Sequence, residues 1–369
     1  MFLAVKFKKK AFFGILLICA VLLVCFCFVR SNAHIEAIQI MEEEEVAFLI
    51  DDIVATRNAA ILRGDLDSVR SLYNTNKRSG LWAFEHEKKK LEYLANWSQK
   101  QGITFTDVAS EIEINWSKNN GQGMTINFMV CSTYTYSYQN KSQINTMRIG
   151  TYHELDIVQY EQQWLITREW YTDPFADSLD LESLDTAENR DYILSKETRD
   201  FSNLNKRRID AVAYADQYCG VAGVSDNGFS YNTAYKNYNH LGGDCANFVS
   251  QVLYESGFKK NGTWNYEKEG SRAWVNAQAL KNYMIYSARA WLIASGSYDK
   301  VLKASYKLLP GDIVAYEKKG KITHVSVVTG ADSQGYSLVN CHNTDRFRVP
   351  WDLGWSNSKI KFHLIRVEY

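Results

Sequence analysis

The run His240-Leu241-Gly242-Gly243-Asp244-Cys245-Ala246-Asn247-Phe248-Val249-Ser250-Gln251-Val252-Leu253-Tyr254 decides how the second half of this chain is read. Phe248, Val249, Val252 and Leu253 recur at helical spacing, so an amphipathic helix is predicted to follow Asp244. Asp244 stands where a carboxylate can accept the N–H of the third helical residue. Cys245 then takes the first helical position, where unpaired N–H groups and the positive end of the dipole favour thiolate over thiol. Gly242 and Gly243 leave room for a substrate backbone to approach. A structural cysteine belongs inside such a helix, on its apolar stripe, so Cys245 is a candidate nucleophile.

A nucleophilic thiol needs a base within hydrogen-bond reach. Leu309-Pro310-Gly311-Asp312-Ile313-Val314-Ala315-Tyr316 and Ile322-Thr323-His324-Val325-Ser326-Val327-Val328 read as two strands of a hairpin around Lys318-Lys319-Gly320. His324, held on a strand with Ser326 and Val328 on its face, is the expected general base. His240 precedes the glycines with no strand to hold it and ranks second. On the following strand, alternation sets Leu338, Asn340 and His342 on one face and Cys341 on the other, as core. A polar group there can orient an imidazole as the third member of a triad does. His342, Asn340 and Asn343 are the candidates, and Tyr238, His240 and Asp244 are candidate oxyanion or substrate contacts.

Working outward, the chain has 369 residues, with 42 basic and 42 acidic side chains. That length suggests about two domains. Zero net charge gives no electrostatic case for nucleic acid as a partner. Residues 1–33 hold Lys6, Lys8, Lys9, Lys10 and Arg30 and no acid, so the remainder is mildly acidic. The uncharged run Ala11–Val29 is long enough to span about 28 Å as a helix. Lysines before it keep the N-terminus inside and send the rest outside. Residues 1–33 are therefore expected to be a signal anchor, or a signal peptide cleaved after Ala33, which makes the protein extracytoplasmic. Four scattered cysteines beyond this run are no disulfide framework, and no CxxC or HExxH suggests a metal; no cofactor is expected.

Residues 34–172 read as an α+β accessory domain. Val46, Leu49, Ile50 and Ile53 begin a helical pattern broken at Gly64-Asp65, and a second helix covers Trp82–Gln101. Period-two runs at 108–116, 125–138, 148–160 and 164–170 then predict a four-stranded meander. Helices followed by a curved sheet resemble the nuclear-transport-factor-2-like fold. Tyr134, Tyr136 and Tyr138 are expected as sheet surface and core. Residues 173–204, rich in Asp and Glu, read as a solvated linker extended by self-repulsion, and residues 205–369 as the second domain.

The order cysteine at a helix start, histidine on a strand, polar residue on the next strand resembles the papain-like cysteine peptidases. The Leu-Pro-Gly-Asp-Ile-Val and Thr-His-Val-Ser-Val-Val hairpin is similar to their bacterial cell-wall amidase and endopeptidase branch. Asp244-Cys245-Ala246-Asn247-Phe248-Val249-Ser250-Gln251, the Arg208–Tyr218 helix, and His342 followed by Thr344-Asp345-Arg346 are similar to the putative amidase domain family, over about residues 205–365. Ala246 stands where that family commonly has Thr. The resemblance implies a papain-like α+β hydrolase domain with Cys245 as nucleophile, His324 as base and His342 as orienting residue. The implied substrate is an amide in a peptide or peptidoglycan. The accessory domain would position the enzyme at the envelope or bind a partner there. Two other functions use the same residues: a non-catalytic binding or assembly module, and acyl transfer to an amine.

Overall fold

The computed structural model describes residues 43–121, 123–175, 178–223 and 230–369. The expected membrane segment lies outside them; among the described residues no helix is long and apolar enough to cross a membrane. Helix α1 (Glu43–Arg63) has Glu43, Glu44 and Glu45 in its first turn and Arg63 in its last, which suits the dipole at both ends. Its stripe of Val46, Ile50, Ile53 and Val54 is buried. Asp65 starts α2 (Leu66–Ser71), its Oδ1 accepting from Ser68 N–H at 3.1 Å. Helix α3 (Arg78–Gln101) stops at Gly102, whose φ of 73° is the left-handed geometry of a helix end.

Strands β1 (Ile103–Asn119), β2 (Met124–Tyr138), β3 (Ile144–Tyr160) and β4 (Gln163–Tyr171) form the expected antiparallel meander. Alternate residues of β2 are buried on either side of a break at Cys131 and Ser132, in two different cores. Met124, Ile126, Phe128 and Val130 pack against the three helices. Tyr134, Tyr136 and Tyr138 join a core shared with the second half of the chain.

The second half contains α4 (Thr186–Leu194), α5 (Lys206–Gln217), α6 (Cys245–Glu255), α7 (Arg272–Val275), α8 (Ala277–Tyr286), β5 (Ala290–Gly296) and α9 (Tyr298–Ser305). Strands β6 (Ile313–Lys318), β7 (Lys321–Ala331), β8 (Ser337–Cys341), β9 (Asp345–Pro350) and β10 (Ile360–Val367) complete it. Its strands do not form a separate sheet. One sheet runs β1-β2-β3-β9-β8-β7-β6-β10-β5, with β4 also on β3. Arg148, Ile149 and Gly150 of β3 pair with Phe347, Arg346 and Asp345 of β9. A Cβ on Gly150 would lie 2.6 Å from that of Val221, so only a glycine lets the segments meet there.

The joint is also closed by side chains. Fully buried Lys100 of α3 reaches Asp352 at 2.7 Å, and Trp97 Nε1 and Tyr336 Oη donate to the same carboxylate. Tyr136 and Tyr138 of β2 donate to Asp332. The acidic stretch expected as a solvated linker is part of this joint: Phe175, Leu179 and Ile193 are buried in the shared core. Asp185 caps α4, and Asn189 donates to Asp299. Asp173 meets His86 and Glu188 meets Lys303, each at 3.1 Å, so the segment is packed and not extended.

The two faces of the sheet carry different layers. Helices α5, α6, α7 and α8 cover the face of Ile313, Ala315, Val325 and Val327. The opposite face, with Val314, Tyr316 and Val328, packs on α9 and the Tyr93–Trp97 end of α3.

Removing one partner of a buried ion pair leaves the other charge uncompensated, at a cost of about 3–5 kcal/mol. Lys100→Met should lower the unfolding free energy by that much in chemical denaturation of the whole chain. Because the core is shared, both halves should be lost in one transition. A loss below about 1 kcal/mol, or a second transition for residues 205–369, would contradict the shared core.

Candidate active site

Helix α6 starts at Cys245, as its sequence predicts, but the Asp244 side chain does not cap it. Its Oδ1 accepts from Tyr238 N–H at 2.9 Å and from Asn247 Nδ2 at 2.8 Å, and its Oδ2 meets His342 Nδ1 at 2.6 Å. The other ring nitrogen, Nε2, lies 2.6 Å from the carbonyl oxygen of Tyr218. A carboxylate and a carbonyl only accept, so both nitrogens of His342 donate and the ring is an imidazolium. Burial opposes that charge. The bond to Asp244, the charges of Asp345 and Asp244, and the Tyr218 carbonyl outweigh it and raise the pKa above the ordinary imidazole value. The ring stacks on Phe248, with centroids 4.1 Å apart. Cys245 and Phe248, three residues apart, share a helix face, so His342 lies over the same first turn as the thiol.

The thiol is buried, which overrides the helix-start argument. Burial pushes Cys245 up to about 12, although the N–H groups of Val325 and Ala246 bond to the sulfur and act in the opposite direction. A helix terminus offers at most about 2 kcal/mol to a charge, too little to offset the loss of water around a thiolate. Cys245 is a thiol here, and the expected thiolate is corrected to that. Cys131 and Cys341 are likewise pushed up by burial, each to about 11.

His324 is not brought to Cys245. It pairs across the hairpin with Tyr316 and so shares the face opposite α6. Its ring stacks on Trp355 at 5.0 Å and approaches Tyr316 at 5.4 Å. Among the described residues no partner meets its buried Nε2. Burial, then the nearby Arg346 charge, lower its pKa to about 3, so it is neutral. Alternation did group His324 with Ser326 and Val328; what the strand alone does not say is which face the helix covers. The helix covers the other one, with Val325.

The remaining candidates separate in the same way. Asn340 is saturated: its amide donates to Ala215 O and Asp216, and its oxygen accepts from Thr329 and Arg348 N–H. Asn343 is exposed, adopts a left-handed φ of 71°, and lies against Gly243, where a Cβ would sit 2.8 Å from its Nδ2. Gly242 and Gly243 have φ of 108° and 123°, so both are needed for the turn itself. His240 is exposed on the short 3₁₀ turn Asn239–Leu241. Tyr238 contributes its backbone N–H to Asp244. The Tyr218 carbonyl and Val325 N–H were missed, because backbone groups carry no sequence signal. In the first half His153 is a core residue stacked between Phe128 and Tyr171 with Nδ1 3.2 Å from Glu169.

His342 has a folded pKa above its unfolded value of about 6.5. Its contribution to stability is therefore complete below pH of about 6.5 and lost as pH rises through the folded value. Unfolding midpoints of wild type and His342→Gln, compared from pH 5 to 9, should differ most at the acid end and converge upward. A difference that grew with pH would mean that His342 is neutral in the folded chain.

Residues 205–365 match the family model described as Putative amidase domain. No curated protein matches the chain. Solved structures similar to it include the intermembrane space region of chloroplast protein ARC6, at 11% identity over 34% of this chain and 95% of that one, with a TM-score of 0.23. A Putative Scytalone Dehydratase from Novosphingobium aromaticivorans DSM 12444 is 13% identical over 33% and 79%, with a TM-score of 0.24. An NTF-2 like protein of unknown function from Shewanella oneidensis MR-1 is 17% identical over 33% and 94%, with a TM-score of 0.18. Likenesses at this level carry no argument. The match is confined to residues 205–365, the segment that holds Cys245, Asp244 and His342, and it is this segment that is similar to the putative amidase domain family.

Proposed function

We propose that the amidase domain hydrolyses amide bonds with Cys245 as its nucleophile. The observation that carries this reading is the first turn of α6. The sulfur begins the helix with two N–H donors on it, and the residue before it is paired with a histidine. The sulfur attacks the amide carbonyl carbon, the C–N bond breaks, and the amine leaves with a proton. Water then cleaves the thioester, returning the thiol and a carboxylic acid. The same thioester passes its acyl group to an amine in the transfer variant of the reaction. His342 takes the proton of Cys245 only after its ring has lost one and Nε2 has left the Tyr218 carbonyl, so turnover rises with pH through the raised His342 value. In this reading the nucleophile is papain-like and the base is not on the expected strand.

The reading extends to place and substrate. The lysine-led run 1–33 exports or anchors the chain, and the amide belongs to a bacterial cell-wall peptide. A second reading, a binding module with an inert thiol, is favoured by the burial of Cys245 and by His324 on the far face.

One experiment separates them. Peptidoglycan fragments incubated with the full chain should give hydrolysed products by mass spectrometry, and Cys245→Ala should give none. His342→Gln should cost roughly two to four orders of magnitude in kcat/KM, whereas His324→Phe, which keeps the stack on Trp355, should stay within about tenfold of wild type. Products from Cys245→Ala, or an equal loss in both histidine variants with folding intact, would overturn the reading.

A further inference from the structure

A cleft of about 560 Å³ lies where the two halves meet. Its floor is the outer face of the meander, through Asn127 of β2, Tyr152 and Glu154 of β3, and Trp170 of β4. These are the residues that alternate with the buried ones facing α1 to α3. Its other wall is Asn239, His240, Asn343 and Thr344, which come from the two segments bracketing the candidate nucleophile. Asn343 touches Gly243, two residues before Cys245. Two extended residues span at most about 7 Å, so the cleft ends beside the start of α6. Trp170 and Arg168 also line a second hollow of about 370 Å³ that continues past the edge of β4 to Trp82 on α3. Trp82 and Trp170 are each 60% exposed, which leaves two indole faces open along one path.

We propose that this path is the substrate-binding groove of the amidase, supplied by the first half of the chain, and that it holds an uncharged glycan strand. The proposal rests on the amidase reading above. Charge decides against an anionic occupant: Arg168 is already held by Asp156 at 2.6 Å and by Glu154 at 3.0 Å. Asn115 donates to Asn127 Oδ1 at 2.8 Å, and this pair with the Asn343 amide presents both donors and acceptors, which matches hydroxyl and acetamido groups. Exposed indoles offer flat apolar faces to the C–H face of a sugar ring. An extended peptide would be read by main-chain pairing along an open strand edge. Strands β2 and β3 on the cleft floor are paired on both sides, so a peptide could add only along the outer edge of β4, away from the loops around Cys245.

The test is calorimetric binding to the full chain, with the tetramer of N-acetylglucosamine as probe and an uncharged tetra-alanine amide as its rival. The saccharide should bind, Trp170→Ala should weaken it about tenfold, and Trp291→Ala, on β5 at the far end of the sheet, should leave it unchanged. On a cell-wall substrate Trp170→Ala should raise KM and keep kcat. Preference for the peptide, no saccharide binding, or wild-type binding by Trp170→Ala would each overturn the proposal. Binding is read without turnover, so Cys245→Ala should bind the tetramer as wild type does. A chain that binds the saccharide and cleaves nothing would sink the hydrolase reading alone.

Discussion

Asp352 is the point on which the two halves of this protein depend. Its buried carboxylate is met by Lys100 and Trp97 from one helix and by Tyr336 from a distant turn, and a buried charge holds its place only when it is so paired. Lys100 and Trp97 arrive on α3, in the first half; Tyr336 and Asp352 itself lie in the second. The pairing of β3 with β9 makes this meeting possible by fixing the backbone of both halves in one sheet. Asp332 repeats the device: buried beneath Tyr136 and Tyr138, it is pushed up by burial to about 6, with the tyrosine hydroxyls opposing. Such a seam is structural matter shared by both halves. An enzyme unit cut at the family boundary would expose Trp351, Tyr298 and Leu302 on one side and Trp97 and Tyr136 on the other.

The site shows two physical effects in competition at one residue. The helix start and two backbone N–H groups favour negative sulfur, and burial disfavours it. Burial is the larger because a thiolate out of water loses more than a terminal dipole returns. The neighbouring imidazole goes the other way. His342 is also buried, yet it has a carboxylate at 2.6 Å and a second acidic neighbour, so its charge is retained. Similar burial thus gives opposite outcomes, according to whether a counter-charge is in contact. Any activation of Cys245 falls to His342, since His324 lies on the opposite face of the sheet.

The first half is more than a spacer in this arrangement. Its inner sheet face makes its own core against α1 to α3, which frees the outer face to stand opposite the loops around Cys245. Alternation along β2, β3 and β4 builds both surfaces from the same strands.

Much of this was legible in local pattern. Helical periodicity and Gly punctuation located α1, α3 and α6, and period two located the meander and the β6–β7 hairpin, because these depend on neighbours within a few residues. The octapeptide at Asp244 identified the family segment for the same reason: a helix start is a local object. Alternation also correctly assigned His324 to the face of Ser326 and Val328, and Cys341 to the face opposite His342. Which face α6 would cover, whether Cys245 would be buried, and whether β9 would pair with β3 are questions about residues far apart in the sequence. No local pattern answers them, since burial and strand pairing are set by how distant segments pack; only the tertiary structure decided them.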